Sequence, residues 1–273
     1  MTIPIALTIA GSDSGGGAGI QADLKTFSAL GVYGCSVITA LTAQNTVGVT
    51  GIMDVPADFV TQQMAAVFED LDIAAVKIGM LSRPETIEAV ARGLETYQPR
   101  HVVLDPVMVA KSGDRLLQAE AVESLTANLL PLATVITPNL PEAGVLLGRE
   151  MPIARADMET AARALHDLGA QAVLLKGGHL EARNSPDLLF DGANLTVLES
   201  ERIDTGNTHG TGCTLSSAIA ALLAQGIILE EAVRSAKDYI TEAIRAADRL
   251  HIGRGHGPVH HFHTLWKQLE NGR

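Results

Sequence analysis

The sequence predicts an α/β fold: a three-layer α/β/α sandwich around a mostly parallel central sheet, with an antiparallel hairpin at one edge. Short apolar runs alternate with amphipathic stretches along the 273 residues, and strands spaced by helices usually pair in parallel. Apolar residues make up 47% of the chain and aromatic residues only 3%, so aliphatic side chains must fill the core of a covered sheet. Neither a repeat nor a linker interrupts residues 1–273, which we expect to form one domain.

The first elements are an apolar strand over 3–10, a glycine-rich loop over 11–19 and an amphipathic helix over 18–30 that Gly31 ends. Later apolar runs predict strands at 36–41, 74–80, 101–107, 134–137 and 172–176. Helical patterns separate these strands, for example at 58–68 and 154–168. This regular alternation is what predicts the parallel part of the sheet.

The antiparallel edge is predicted from residues 187–203. Asp191 and Gly192 lie there between two strand-like runs, and an Asp-Gly pair favours the tight turn of a hairpin. Two closing helices follow, over 211–225 and 229–250. Because open parallel sheets bind ligands beyond the carboxyl ends of their strands, the polar and glycine-rich residues just past each strand are the candidate site residues.

Charge and cysteine content exclude several classes of protein. A formal net charge of −11 without a run of Lys or Arg would repel a phosphate backbone, so we expect no nucleic-acid partner. No apolar run approaches the roughly 20 residues of a membrane span, and no basic segment precedes the first apolar stretch. Cys35 and Cys213 match no disulfide or zinc pattern. We expect a cytoplasmic protein without a membrane partner.

A glycine-rich turn over 204–213 leads into the first closing helix. Backbone N–H groups that converge at Gly210, Thr211 and Gly212 would form, with the helix dipole, a site for the charge on a phosphoryl group in transfer. An ordinary glycine-rich start of a helix fits the same spacing. The two common nucleotide-binding motifs, GxxxxGK[ST] and a GxGxxG followed by a ribose-binding acid, do not occur.

Five motifs resemble those of the hydroxymethylpyrimidine/phosphomethylpyrimidine kinases of thiamin biosynthesis. They read AGSDSGGGAGIQAD at 10–23, LTAQN at 41–45, DPVM at 105–108, TPNLPE at 137–142 and HGTGC at 209–213. The resemblance covers nearly the whole chain and implies a ribokinase-like fold, ATP and Mg²⁺ as cofactors, and a homodimer. It also implies two successive phosphorylations, of 4-amino-5-hydroxymethyl-2-methylpyrimidine and then of its monophosphate.

The resemblance assigns candidate contacts with the pyrimidine. Gln44 would bind the aminopyrimidine, because an amide offers a donor and an acceptor side by side, and Asp23 would be a second contact. Four further residues would wall the ring: Gly11, Ala18, Met80 and Val107. Packing in the core explains Met80 and Val107 almost as well.

The resemblance also assigns contacts with ATP and the metal ion. Lys176 would bind the phosphates, with Asn139 and Thr211 beside the nucleotide. Glu142 and Asp105 would hold Mg²⁺, Glu142 through water, because Mg²⁺ gives up its hydration shell reluctantly. Glu142 could instead only place a charge at the start of a helix. A flap over 110–114 would exclude water from the reaction, although an ordinary polar loop has the same composition.

Cys213 stands where most ribokinase-like sugar kinases have an Asp general base, a departure that the pyrimidine kinases share. A neutral thiol would not repel the phosphate monoester that is the second acceptor, and the helix N-terminus could lower the thiol pKa enough to serve the first step. A small buried Cys without a chemical part is the alternative.

The tail contains five histidines: His251, His256, His260, His261 and His263. Neither Cys nor a carboxylate cluster accompanies them, so we expect a solvated tail rather than a metal site. Two other functions stay open. A pyridoxal kinase has the same fold and chemistry, but Gln44 and Cys213 favour a pyrimidine. A sensor without turnover is disfavoured by Lys176, Glu142 and the glycine turn.

Overall fold

The computed structural model describes residues 3–108, 119–149, 153–178, 186–199 and 201–270. Its strands are β1 (Ile5–Asp13), β2 (Tyr33–Gln44), β3 (Val49–Asp54), β4 (Ile73–Ile78), β5 (Val102–Leu104), β6 (Val135–Ile136), β7 (Val173–Leu175), β8 (Asp187–Phe190) and β9 (Leu195–Leu198). Within these ranges they form one nine-stranded sheet in the order β3-β2-β1-β4-β5-β6-β7-β8-β9. Strands β2, β1, β4, β5, β6 and β7 are parallel neighbours. At the two edges, β3 and the β8–β9 hairpin pair antiparallel.

Helices cover both faces of the sheet. They are α1 (Gly19–Ala29), α2 (Ala57–Phe68), α3 (Pro84–Tyr97), α4 (Ala119–Asn128), α5 (Leu140–Leu146), α6 (Met158–His166), α7 (Thr211–Ala224), α8 (Leu229–Arg245) and α9 (His263–Glu270). Successive residues of a strand point to opposite faces, so Leu7 and Ile9 join a core with α2 to α6, whereas Ala6 joins a core with α1, α7 and α8. Among the described helices, none is long and apolar enough to cross a bilayer.

The fold class predicted from the sequence is confirmed, including the edge hairpin. Phe190 pairs with Leu195 across the turn, and the Asp191 carboxylate accepts hydrogen bonds from the backbone N–H groups of Ala193 and Asn194 at 2.9 and 2.6 Å. Gly192 has a φ of 92°, a conformation that other residues adopt at a cost. The Asp-Gly signal therefore marked the turn correctly.

The opposite edge differs from the sequence prediction, which lacked β3 and ended the preceding strand at residue 41. Strand β2 continues to Gln44 and returns as β3 through a turn in which the Asn45 side chain accepts from the Val47 N–H at 2.8 Å. Most residues of β3 are exposed. It therefore lacks the alternation of buried and exposed residues that identifies a strand in a sequence.

The prediction of a solvated tail is wrong for its second half. His260, His261 and His263 are each only 4% exposed. The Tyr239 hydroxyl donates to the His261 carbonyl oxygen at 2.6 Å, and Thr214 Oγ1 lies 3.0 Å from His261 Nε2. Burial lowers the pKa of His261 to about 3, so this ring is neutral and acts as a packed, hydrogen-bonded element.

Residues 253–257, here called the glycine strap, also lie against the body of the protein. Backbone N–H groups of Arg254 and Gly255 donate to Thr46 Oγ1 at 3.2 Å. A Cβ atom at Gly253 or Gly255 would approach Thr46 to 2.2 or 2.1 Å. Glycine is used here for close approach of two backbone segments. A glycine-rich sequence does not distinguish that use from flexibility.

A buried ion pair joins the helix layer to the middle of the sheet. Lys77 of β4 places Nζ 2.9 Å from both oxygens of Asp23 in α1, and both side chains are fully buried. Thr8 Oγ1 and Ser217 Oγ each donate to this carboxylate at 2.6 Å. Burial alone would lower the pKa of Lys77, but the Asp23 carboxylate outweighs it and holds the pKa above its usual value. Lys77 therefore keeps its charge inside the sheet.

We expect Lys77→Met to lower the free energy of unfolding by about 3–5 kcal/mol, because it leaves a buried carboxylate without its cation. Urea denaturation followed by circular dichroism measures the change. The matched control is Arg234→Met, which breaks an exposed pair with Glu230 at 2.8 Å and should cost less than about 1 kcal/mol. A loss in Lys77→Met no larger than in this control would contradict the expectation.

Candidate active site

The carboxyl ends of the parallel strands bring together residues from distant parts of the chain. Asp105 follows β5, Asn139 follows β6 and Lys176 follows β7. Asn139 and Lys176 form a parallel bridge, and the Lys176 N–H donates to the Pro138 carbonyl at 2.8 Å. This is the edge at which an open parallel sheet binds ligands.

The glycine turn before α7 leaves backbone donors at the same edge. Gly210 is the N-cap and has a φ of 81°, and a Cβ atom there would lie 1.9 Å from the Gly17 carbonyl oxygen. No larger residue fits this position. The Thr214 N–H donates to the Gly210 carbonyl at 2.8 Å, so the N–H groups of Gly212 and Cys213 precede the first turn of helical hydrogen bonds. They are available to an acceptor from outside the helix.

The turn faces two charged side chains. A Cβ atom on Gly212 would lie 3.4 Å from Lys176 Nζ and 3.5 Å from Asp105 Oδ2, which shows how closely the helix start approaches this pair. The Thr211 hydroxyl donates to the Thr208 carbonyl at 2.7 Å and closes the turn. Backbone donors and a cation thus converge on one place, the arrangement that binds anions.

Lys176 and Asp105 form a largely buried ion pair, with Nζ 3.0 Å from Oδ1. Thr137 Oγ1 donates to the same oxygen at 3.0 Å, and Ser216 Oγ donates to Oδ2 at 3.3 Å. Burial alone would raise the pKa of Asp105, but the Lys176 ammonium outweighs it and holds the pKa below its usual value. The Lys176 side chain keeps 14% of its surface exposed and Asp105 only 2%. Lys176 is therefore the member of the pair that can reach a ligand.

Glu142 lies near the same cation at the start of α5. Its Oε2 accepts from the Asn139 N–H at 2.8 Å, and Asn139 Oδ1 accepts from the Glu142 N–H at 2.9 Å, a reciprocal capping box. Burial raises the pKa of Glu142 above its usual value, against the opposing effect of Lys176. A buried carboxylate of this kind would be stabilised by a further cation. Among the described residues, no three His, Cys, Asp or Glu side chains cluster to ligate a metal directly.

Gln44 lies on the other side of the glycine turn. It borders a small pocket of about 20 Å³ that residues 45–48, His209 and His256 also line. Its Oε1 lies 3.1 Å from Thr42 Oγ1, and its Nε2 lies 3.5 Å from His209 Nε2. The amide is thus held between two polar side chains and is half-buried, so part of its surface remains accessible to a ligand.

The four expected wall residues occupy different positions. Gly11 is buried at the end of β1 and contacts Met80, since a Cβ atom on Gly11 would lie 2.6 Å from Met80 Cε. Ala18 is half-buried where the glycine-rich loop meets α1. Met80 and Val107 are also half-buried, so both keep surface that a ligand can contact.

The structure does not support the expectation that Asp23 contacts the substrate. Its side chain has no exposed surface, and its two oxygens accept from Lys77, Thr8 and Ser217. A ligand cannot reach it without breaking this network. The carboxylate has a structural partner for each of its oxygens because it compensates a lysine inside the sheet, which the sequence motif does not reveal.

Cys213 is half-buried in the first turn of α7. Burial raises the pKa of its thiol to about 11, although the Lys77 ammonium opposes the shift. The expectation of a lowered thiol pKa is therefore wrong, because burial is the largest influence on this group and raises its pKa. The thiol is neutral at physiological pH, as it must be if it is not to repel a phosphate monoester.

Sequence reasoning missed one interaction that joins the two halves of the site. Asp13 Oδ2 lies 2.8 Å from His209 Nε2 and accepts from the N–H groups of Gly17 and Ala18 at 3.0 and 2.8 Å. Both residues lie inside recognisable glycine-rich motifs, which is the signal that was present. Their pairing across 196 positions is not visible in a sequence. The flap predicted at 110–114 lies outside the described residues.

Comparison with known proteins finds relatives in both sequence and structure. A family model described as Phosphomethylpyrimidine kinase matches residues 13–260. A hydroxymethylpyrimidine/phosphomethylpyrimidine kinase of Rhizobium meliloti is 63% identical over 96% of this chain and 98% of its own. The structure of a phosphomethylpyrimidine kinase from Clostridium difficile has a TM-score of 0.78 and 49% identity, over 89% of this chain and 100% of that chain. The ADP complex of Bacillus subtilis pyridoxal kinase has a TM-score of 0.88 and 42% identity, over 95% and 98%.

We expect the rate of Cys213 alkylation by iodoacetamide to rise about tenfold per pH unit up to about pH 9.5 without a plateau, because the thiolate is the reactive form. Mass spectrometry of the Cys35→Ser variant isolates this site, which matters because burial also raises the pKa of Cys35 to about 11. Glutathione, a free thiol, serves as the control and should level off within this range. A plateau for Cys213 near neutral pH would show an activated thiolate instead.

Proposed function

The chain belongs to the phosphomethylpyrimidine kinase family, and we propose that it transfers the terminal phosphoryl group of ATP to 4-amino-5-hydroxymethyl-2-methylpyrimidine and then to the monophosphate. The family makes it a phosphotransferase of thiamin biosynthesis. The observation that carries the proposal is the helix start at Gly210–Cys213, whose backbone approaches the Lys176–Asp105 pair. Backbone donors beside a lysine are what a phosphoryl group in transfer requires.

The residues around the turn would divide the work on ATP. Phosphoryl transfer depends on positioning and charge stabilisation more than on covalent chemistry. The N–H groups of Gly212 and Cys213 would stabilise, by hydrogen bonds, the negative charge that builds on the transferred group. Lys176 would bind the phosphates. Asn139 and Thr211 would complete the nucleotide side. The exposed fraction of Lys176 supports this role, since its partner carboxylate is almost fully buried.

We assign Mg²⁺ to Glu142 and Asp105, with the contact through water. The buried carboxylate of Glu142 and its raised pKa support this assignment, because a nearby cation would stabilise its charged form. Mg²⁺ keeps several waters and binds through one or two carboxylates plus phosphates, which suits a site with few direct ligands. When bound, the ion would neutralise charge on the phosphates.

For the pyrimidine, we propose Gln44 as the polar contact and Gly11, Ala18, Met80 and Val107 as the walls of its pocket. The half-buried state of Gln44 and Met80 supports this. Cys213 would face the acceptor group as a neutral thiol, which accommodates both the alcohol and the anionic monoester. A base of ordinary pKa at this position is not supported, because burial raises the pKa of Cys213 to about 11.

We further propose a homodimer of cytoplasmic protomers, each one kinase domain over 1–273. The ribbon of β2 and β3 supports a second copy as partner, since Leu41, Ile52 and Met53 are 46%, 47% and 69% exposed there and line an open groove. Contiguous apolar surface of this kind marks an interaction site. The continuous sheet supports one domain, and the free Cys35 and Cys213 suit a reducing compartment.

We expect Gly210→Ala to lower kcat by about 100-fold or more, the typical effect of losing aligned backbone donors. The added Cβ atom would clash with the Gly17 carbonyl, and the φ of 81° is strained for alanine. Gly206→Ala is the matched control, because nothing lies within 4 Å of its Cβ position. Steady-state assays of ADP release compare the two variants. Equal kcat values for the two variants would show that the turn plays no part in phosphoryl transfer.

The function itself is tested by the ADP released per acceptor molecule, with Mg-ATP in excess and the acceptor limiting. Two ADP per hydroxymethylpyrimidine are expected from the sequential kinase. One ADP with pyridoxal and none with the pyrimidine would move the chain to the pyridoxal branch. No ADP with either acceptor would leave a sensor without turnover.

A further inference from the structure

The amide of Gln44 has two neighbours whose hydrogen atoms can be assigned. One branch of the amide lies near His209 Nε2 and the other near Thr42 Oγ1. Amide O and N differ little in size, so the hydrogen-bond partners decide which branch is which. The inference that follows rests on the proposed function, because it concerns the substrate that Gln44 would bind.

The proton on His209 is fixed by Asp13. The Asp13 carboxylate already accepts backbone N–H groups of Gly15, Gly17 and Ala18. Burial alone would raise the pKa of Asp13, but the hydrogen bond from His209 and those from the backbone outweigh it and hold the pKa below its usual value. An ionised carboxylate can only accept. At 2.8 Å from it, His209 Nε2 must carry a hydrogen atom, so this nitrogen has no lone pair with which to accept from the Gln44 amide 3.5 Å away.

The proton on Thr42 is fixed by Ser12. Thr42 Oγ1 lies 2.8 Å from the Ser12 carbonyl oxygen, which can only accept, so the single hydroxyl proton points there. What remains on Thr42 Oγ1 is a lone pair, 3.1 Å from the Gln44 amide. The amide is therefore bounded by a donor on its His209 side and by an acceptor on its Thr42 side.

We propose that His209, held by Asp13, and Thr42 together fix the direction of the Gln44 amide and are specificity-determining residues. The matching direction has Gln44 Oε1 toward His209 and Nε2 toward Thr42. This half-turn removes a contact between two donors and a contact between two acceptors, and it gives a hydrogen bond to Thr42 and a longer, favourable contact of Oε1 with the His209 N–H. Each amide group keeps one free site, a lone pair on Oε1 and an N–H on Nε2. The ligand meets an acceptor and a donor in a fixed order.

An aminopyrimidine matches this order, since its amino group donates and the adjacent ring nitrogen accepts. The 4-oxo analogue, 5-hydroxymethyl-2-methylpyrimidin-4(3H)-one, has nearly the same shape but places an acceptor and an N–H donor at these positions. An amide of fixed direction rejects it, because buried polar groups would face like groups. An amide free to turn would accept either compound. Discrimination between the two therefore reports on the direction of Gln44.

The experiment measures kcat/KM for both compounds with the wild type and four variants, and reports their ratio. His209→Leu removes the donor, and His209→Gln restores an N–H at similar reach. Thr42→Val removes the acceptor with little change of shape. Thr50→Val is the matched control, since Thr50 Oγ1 on the adjacent strand bonds only to the Ala43 carbonyl among the contacts described. The ratio cancels changes in the nearby glycine turn, because both compounds share it.

We expect the wild type to favour the amino compound by about 100-fold or more. His209→Leu and Thr42→Val should each reduce the ratio about tenfold, mainly through KM, while His209→Gln and Thr50→Val keep it within about threefold of the wild type. An unchanged ratio in His209→Leu overturns the inference. If the wild type turns over neither compound, the proposed function fails. Dissociation constants from calorimetry then give the same ratio and still decide the inference.

Discussion

The buried ion pair between Lys77 and Asp23 is the constraint on which the site depends. Thr8 and Ser217 also donate to Asp23, so the network joins four elements, β1, β4, α1 and α7. Each of these elements has a candidate site residue close by along the chain. Gly11 lies near the end of β1, Met80 follows β4, and Ala18 and Gly210 precede the two helices. A charge inside the sheet tolerates only one arrangement of its partners, because leaving either member uncompensated costs several kcal/mol. The helices are thus held in register with the strand ends.

Much of the fold follows from local pattern, whereas the site depends on pairings across the chain. Apolar periodicity and the Asp-Gly turn were sufficient to predict the parallel sheet and the β8–β9 hairpin, because strands buried on both faces have recognisable apolar runs in the sequence. The exposed β3 leaves none. Motifs placed Lys176 and the glycine turn at the correct edge, since strand ends converge by topology. They misassigned Asp23 and the thiol pKa of Cys213, because burial and distant partners decide both.

Charge at the site is arranged asymmetrically. Lys176 is flanked by Asp105 and Glu142, and these carboxylates raise its pKa although burial alone would lower it. Asp13 and His209, which pair with each other at 2.8 Å, lie beside Gln44. The charged groups around Lys176 and the neutral amide of Gln44 therefore lie in different parts of the site. The close approach of the Gly17 and Gly210 backbones joins these two parts.

The glycine strap has a consequence for the order of folding. It closes on Thr46 from 208 positions away, and its Gly257 carbonyl accepts the His209 N–H at 3.0 Å. Contacts of such sequence separation raise the loop-closure cost and form late. On a ribosome, the pocket beside Gln44 is completed only after the strap has emerged. Nascent chains would therefore acquire most of their sheet before this pocket is complete.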